Sequence, residues 1–234
     1  MLPVFRPMRR FFFIALIIFF SLGAVPACSK SHPKAKKSPT PSASPSPSKP
    51  PEPQADFRAS GVAPVDAQDR ASAFGAANDA AKKVIDLVNT YYDIAFLQPS
   101  RWGGGQHPDL GTLFSDDAKG SLAGNLQVVA LGSVAAQLSK VTPVNEQAGT
   151  IRVLIEPNGG ASYAAVPTHF DATGTAVSGG GAVPITHDAQ LLVDIAAGKI
   201  IGYDMGSRIG GSASGASYVP KSSEALAALA GGPA

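Results

Sequence analysis

The stretch 183–205, VPITHDAQLLVDIAAGKIIGYDM, alternates apolar and polar side chains up to a turn and then returns. Val183, Ile185, His187, Ala189, Leu191, Val193 and Ile195 fall on one face, with Thr186, Asp188, Gln190 and Asp194 on the other. Successive side chains of a strand point to opposite faces, so this period of two marks a strand with one buried and one wet face. Ala197 and Gly198 supply the turn, and residues 199–205 form the returning strand. The stretch predicts a terminal antiparallel hairpin.

Working outward, residues 134–144 and 150–156 read as two further strands, the second ending in the turn Pro157-Asn158-Gly159-Gly160. Residues 163–173 form another, followed by the glycine run 179–181. The back of the chain is thus a meander of four or five antiparallel strands. The front is helical. Phe74, Ala77, Ala81, Val84, Val88, Tyr91 and Ala95 recur at steps of three and four, which is one face of a long helix over 71–96. Asp79 with Lys83, and Lys82 with Asp86, are spaced to pair along it. Pro99 stops it, because the residue before a proline is pushed out of helical geometry. RWGGGQHPDLG, 101–111, is a loop. A second helix runs over 116–129, with Ser115 as N-cap and Asp116 and Asp117 in its first turn. Gly120 and Gly124 weaken it by about 1 kcal/mol each against alanine, so it depends on packing. Helices packed on one face of a strongly curved antiparallel sheet make an α+β fold.

Composition divides the 234 residues further. Arg6, Arg9 and Arg10 precede an apolar block, 11–22, broken by one serine, and Val25-Pro26-Ala27-Cys28 follows. The order is that of an export signal, and a block of about a dozen residues is short for a bilayer span, which takes roughly twenty. Residues 29–55, rich in Ser, Pro and Lys, bury too little to offset their chain entropy and read as a disordered tether. Lys30, Lys34, Lys36, Lys37 and Lys49 serve equally well for attraction to anionic lipid or for plain solubility. From Asp56 on, eleven Lys and Arg face sixteen Asp and Glu, a net charge of −5, although the whole chain is +2. With no basic patch in the folded part, nucleic acid is not an expected partner. The domains are therefore 1–27 signal, 28–55 tether, 56–205 one α+β domain and 206–234 a flexible low-complexity tail.

The residues around Cys28 resemble a bacterial lipoprotein signal, with an apolar residue three before the cysteine and a small one just before it. Pro26 departs from the usual middle residue. The resemblance implies cleavage before Cys28, palmitate-type lipidation on its sulfur, and anchoring to the extracytoplasmic side of the cell membrane. As Cys28 is the only cysteine, no internal disulfide can form. The order of a long helix, a second helix with LGTLFSDDAKGSLAGN at 110–125 and a hairpin ending KIIGYDM at 199–205 resembles the nuclear transport factor 2-like superfamily, in particular its actinobacterial-type lipoprotein members. That likeness implies a cone-shaped sheet around a cavity closed by the first helix, and an outer sheet face used for homodimers.

Members of that superfamily include isomerases and dehydratase-like enzymes, which place an acid-base residue in the cone, and many non-catalytic binding domains. The residues open to the first role are Asp93, His169, Asp171, His187, Asp188, Asp194 and Asp204. His187, on the apolar face of the best strand, and Asp204 are the candidate bases, against the reading of His187 as a satisfied core histidine. His169 and Asp171 share a strand face and can pair there. Tyr91 and Tyr92 are candidates to line the cavity or to fill the core, and Trp102 with His107 to cover its mouth or to anchor the loop. His107, His169 and His187 are not spaced as metal ligands, and no phosphate-binding glycine motif or Gly-x-Ser-x-Gly elbow occurs. Neither a metal nor a cofactor is expected. The sequence favours a membrane-anchored, non-catalytic domain that binds a small apolar ligand or docks a membrane partner; the alternative is an isomerase- or dehydratase-like enzyme.

Overall fold

The computed structural model describes residues 52–65 and 70–220. The signal, Cys28 and most of the tether lie outside the described residues, as does the chain from residue 221. Six strands form one sheet in sequence order: β1 (Ala59–Val65), β2 (Leu138–Ile155), β3 (Ala161–Ala176), β4 (Ala182–Asp194), β5 (Lys199–Ile209) and β6 (Ser212–Tyr218). β1 lies parallel to β2, and every later neighbour is antiparallel. Two α-helices are present among the described residues, α1 (Arg70–Tyr92) and α2 (Asp116–Val129). Both pack on the same sheet, α1 against β1, β2 and β3 and α2 against β5 and β6. The α+β class is as the sequence predicts.

The strongest patterns fold as read. The β4 face holding Ile185, His187, Ala189, Leu191 and Val193 is buried, and Gly198 takes the β4–β5 turn at a φ of 62°. Ser115 Oγ caps α2, accepting the Ala118 N–H at 3.4 Å, with Asp116 and Asp117 in the first turn. The α1 stripe buries Ala77, Ala81, Val84, Val88 and Tyr91, and Ala95 continues it just past the helix end. Phe74, expected on it, is 45% exposed: the stripe begins at Ala73, and one residue of helix, 100° of rotation, carries Phe74 past its edge. Lys82 closes on Asp79, three residues back, at 3.0 Å. Past Tyr92 the helix widens into a π turn, Asp93–Leu97, whose last four residues are all buried.

Weakly patterned segments fold differently. The two strands expected at 134–144 and 150–156 are one, because the polar stretch Asn145-Glu146-Gln147 keeps its ladder with Asp171, Phe170 and His169 of β3. Residues 134–137 belong instead to the 3₁₀ turn Gly132–Gln137. Four register shifts interrupt the β2–β3 ladder, and such bulges bend a strand while the pairing resumes on either side. β1 has no clear alternation and was not foreseen; backbone bonds to β2 define it. The expected boundary at 205 also moves. β5 runs on to Ile209, Gly210 and Gly211 turn at φ values of 58° and 94°, and Ser212–Tyr218 returns as an edge strand. Backbone pairing builds this hairpin where the side chains, mostly Ser, Ala and Gly, give no signal.

Candidate functional site

The end of α1 and the middle of the sheet build the interior site. Asn89 Oδ1 accepts the Phe57 N–H and Asp93 Oδ1 accepts the Ala55 N–H, each at 2.7 Å, which ties the segment before β1 to the helix. Burial raises the pKa of that Asp93 carboxyl, and the bond from Ala55 opposes the rise. Phe57 is thereby stacked on Tyr92 with ring centroids 4.3 Å apart. Phe96 and Phe170 pack around the same phenol, at 5.5 and 4.9 Å. The place where a cavity was expected is filled with rings.

His187 stands among them, fully buried, its ring 4.8 Å from that of Phe96. Its Nδ1 lies 2.9 Å from Tyr92 Oη, which lies 2.8 Å from Thr168 Oγ1, and Thr168 donates to the Ala189 carbonyl at 3.3 Å. With the Thr168 hydrogen used on that carbonyl, Tyr92 donates to Thr168 and accepts from Nδ1–H, leaving Nε2 a bare acceptor. Run the other way, the chain puts the hydrogen on Nε2. In both arrangements Nε2 has no hydrogen-bond partner among the described residues, nor has Ser207 Oγ, whose residue is opposite His187 in the β4–β5 ladder. Burial lowers the His187 pKa from 6.5 to about 3, against weaker upward pulls from Asp188 and from the Val128 backbone. The same burial pushes the Tyr92 phenol up. A ring with that pKa stays neutral at pH 7 and takes a proton poorly, so His187 is ill suited to serve as a general base.

The other candidates are placed apart from this network or beside it. Tyr91 is buried next to it, with its hydroxyl donating to the Val129 carbonyl and touching Met205 Sδ at 3.7 Å. Asp204, the second candidate base, is exposed on the opposite sheet face, across from Gln190. That corrects its expected place inside: strand alternation puts Tyr203 and Met205 inward, so Asp204 must point out. On the same outer face His169 pairs with Asp171 at 2.9 Å, as their spacing predicts, and β4 adds Asp188 at 2.7 Å. The bond to Asp188 raises the His169 pKa, with Asp171 adding to the effect and desolvation opposing it.

Trp102 anchors the glycine loop. Its Nε1 donates to the Ile94 carbonyl at 3.2 Å, and its ring meets His107 edge-on at 5.7 Å. His107 is 6% exposed and lies in the wall of a cleft of about 340 Å³ between this loop and α2. Pro108, Leu110, Leu122 and Leu126 make most of the cleft apolar, and Lys119 joins them. His107 Nδ1 accepts the Asp109 N–H at 3.1 Å, whereas Nε2 is buried and unpartnered among the described residues. Sequence reading missed this cleft and also Thr168. Thr168 carried a signal, as a lone hydroxyl between Val166 and Phe170 on the inward face of β3; the cleft carried none, since it joins residues from two separate elements.

Among the described residues, no group of three or more His, Cys, Asp or Glu side chains is arranged to hold a metal, and no helix is long and apolar enough to cross a membrane. The chain matches no protein-family model, no curated protein and no solved structure.

Proposed function

We propose that the protein is a cell-envelope lipoprotein, anchored through Cys28 on the extracytoplasmic side, whose folded domain binds a small apolar ligand and does no chemistry on it. The observation that carries the non-catalytic reading is His187: the histidine best placed on the inward sheet face is sealed among aromatic rings, bonded to Tyr92, with its pKa lowered to about 3. Support for the anchor comes from the basic, apolar and small-residue order of residues 6–28. We also propose a nuclear transport factor 2-like fold for the domain, with the interior of the cone packed by Phe57, Tyr92, Phe96 and Phe170 and the ligand held outside it. Two helices on one face of a bulged, largely antiparallel sheet support it; the parallel strand β1 ahead of α1 is a departure from the expected element order.

Two measurements test the reading. In the native host, the wild-type chain should fractionate with membranes and take up labelled palmitate, and Cys28→Ser should abolish the label. A wild-type chain that takes up no label, or a Cys28→Ser chain that keeps it, overturns the anchor. Native mass spectrometry of the gently purified full chain should show a small-molecule adduct. A bare mass, with nothing recovered by extraction, overturns ligand binding.

A further inference from the structure

The cleft between the glycine loop and α2 combines an apolar lining with a hydrogen-bond donor that lacks an acceptor. The Asp109 N–H occupies Nδ1 of His107, so a neutral ring has to carry its hydrogen on Nε2. Burial, aided by the nearby Arg101 and opposed by Asp109, lowers the pKa of His107 and keeps the ring neutral. The Nε2–H therefore points to no acceptor among the described residues. A buried donor in that condition is unfavourable, and an oxygen brought in by a ligand relieves it. Pro108, Leu110, Leu122 and Leu126 suit hydrocarbon, while Lys119, already 2.8 Å from Asp116, adds positive charge to the lining. At about 340 Å³ the cleft is at the small end of ligand sites, which span roughly 300–1,000 Å³.

We infer that this cleft binds a small amphipathic carboxylate, a short hydrocarbon chain lying against the leucines with a carboxylate oxygen accepting the Nε2–H of His107. The inference rests on the ligand-binding reading above and names the site and head group. Because Nε2 is shielded from bulk water, the occupant has to displace part of the cleft lining to reach it. Trp102, packed edge-on against His107 and the only tryptophan in the chain, reports that event.

The test titrates the full-length chain with octanoate and follows tryptophan fluorescence. The wild type should give a saturable change. His107→Asn places an amide oxygen where Nδ1 accepts from Asp109 and deletes the Nε2 donor, so it should weaken octanoate about tenfold or more, the range of a lost charge-assisted hydrogen bond. Ala123→Phe, at an exposed α2 position in the cleft lining, should abolish binding by filling the space. Circular dichroism establishes the fold of each variant, and if Ala123→Phe fails to fold, His107→Asn decides alone. Failure of the wild type to saturate, unchanged affinity in His107→Asn, or equal binding of octyltrimethylammonium overturns the assignment. An adduct in the native mass spectrum together with no octanoate binding rejects this cleft but leaves the ligand-binding reading standing; loss of both rejects both.

Discussion

At the scale of single residues, the two sheet histidines make opposite demands on pH. His187 is neutral in the fold, with its pKa lowered to about 3, and takes a proton near 6.5 once unfolded. The unfolded state therefore binds more protons below pH 6.5, and stability decreases as the pH drops below that value, by at most about 1.4 kcal/mol per unit. Urea midpoints between about pH 7 and pH 5 should show this slope in the wild type and a flatter one in His187→Leu; parallel curves would sink the claim. His169 runs the other way. Its folded pKa is raised, first by the bond to Asp188, so its stabilisation is complete below about 6.5 and is lost as pH rises through the folded value. With 38% of the side chain exposed, solvent screening holds the effect below about 1 kcal/mol. An NMR titration of His169 should move down in Asp188→Asn, and an unmoved midpoint would contradict the assignment. Tyr92→Phe removes the hydroxyl shared by Thr168 and His187 and should cost about 1–3 kcal/mol in chemical denaturation, because it leaves Nδ1 of a buried ring unpaired as well. A neutral result would mean the network is not formed in solution.

At the scale of elements, close approaches set what the turns and strands accept. A Cβ on Gly202 in β5 would lie 2.8 Å from Pro220 Cδ and 3.1 Å from both Leu192 Cδ1 and the Tyr218 carbonyl oxygen. Gly202→Ala should therefore loosen the end of β6 and destabilise by about 1–3 kcal/mol, as overpacking does. Hydrogen exchange at Ala216 and Tyr218 reads the loosening directly, and protection equal to wild type would show that the neighbours yield at no cost. The elements differ in legibility for a related reason. β4 and α2 announce themselves through alternation and a cap, which are local in sequence. β1, the middle of β2 and β6 are held by partners far away in the chain, so their own residues say little.

At the scale of the whole molecule, the sheet's extent decides where the domain ends. β6 belongs to it, so deleting residues 210–234 should lower stability by at least about 1 kcal/mol, since Tyr218 and Ala216 pack against the core, and a truncated chain as stable as the intact one would restore the reading of this segment as a dispensable tail. The amino-acid sequence alone determined the α+β class, the long first helix, the capped second helix, the β4–β5 hairpin and the absence of any internal disulfide, because periodicity, capping and cysteine count are properties of neighbouring residues or of composition. It also identified His187 as the inward-facing polar residue of its strand. Whether that histidine would face a cavity or a wall of rings depended on Phe57, Phe170 and the helix end that carries Tyr92 and Phe96 arriving from three separate segments, and only tertiary packing decides that. The same holds for His107, whose unpaired nitrogen and apolar cleft arise where the glycine loop meets α2, a meeting that no local pattern encodes.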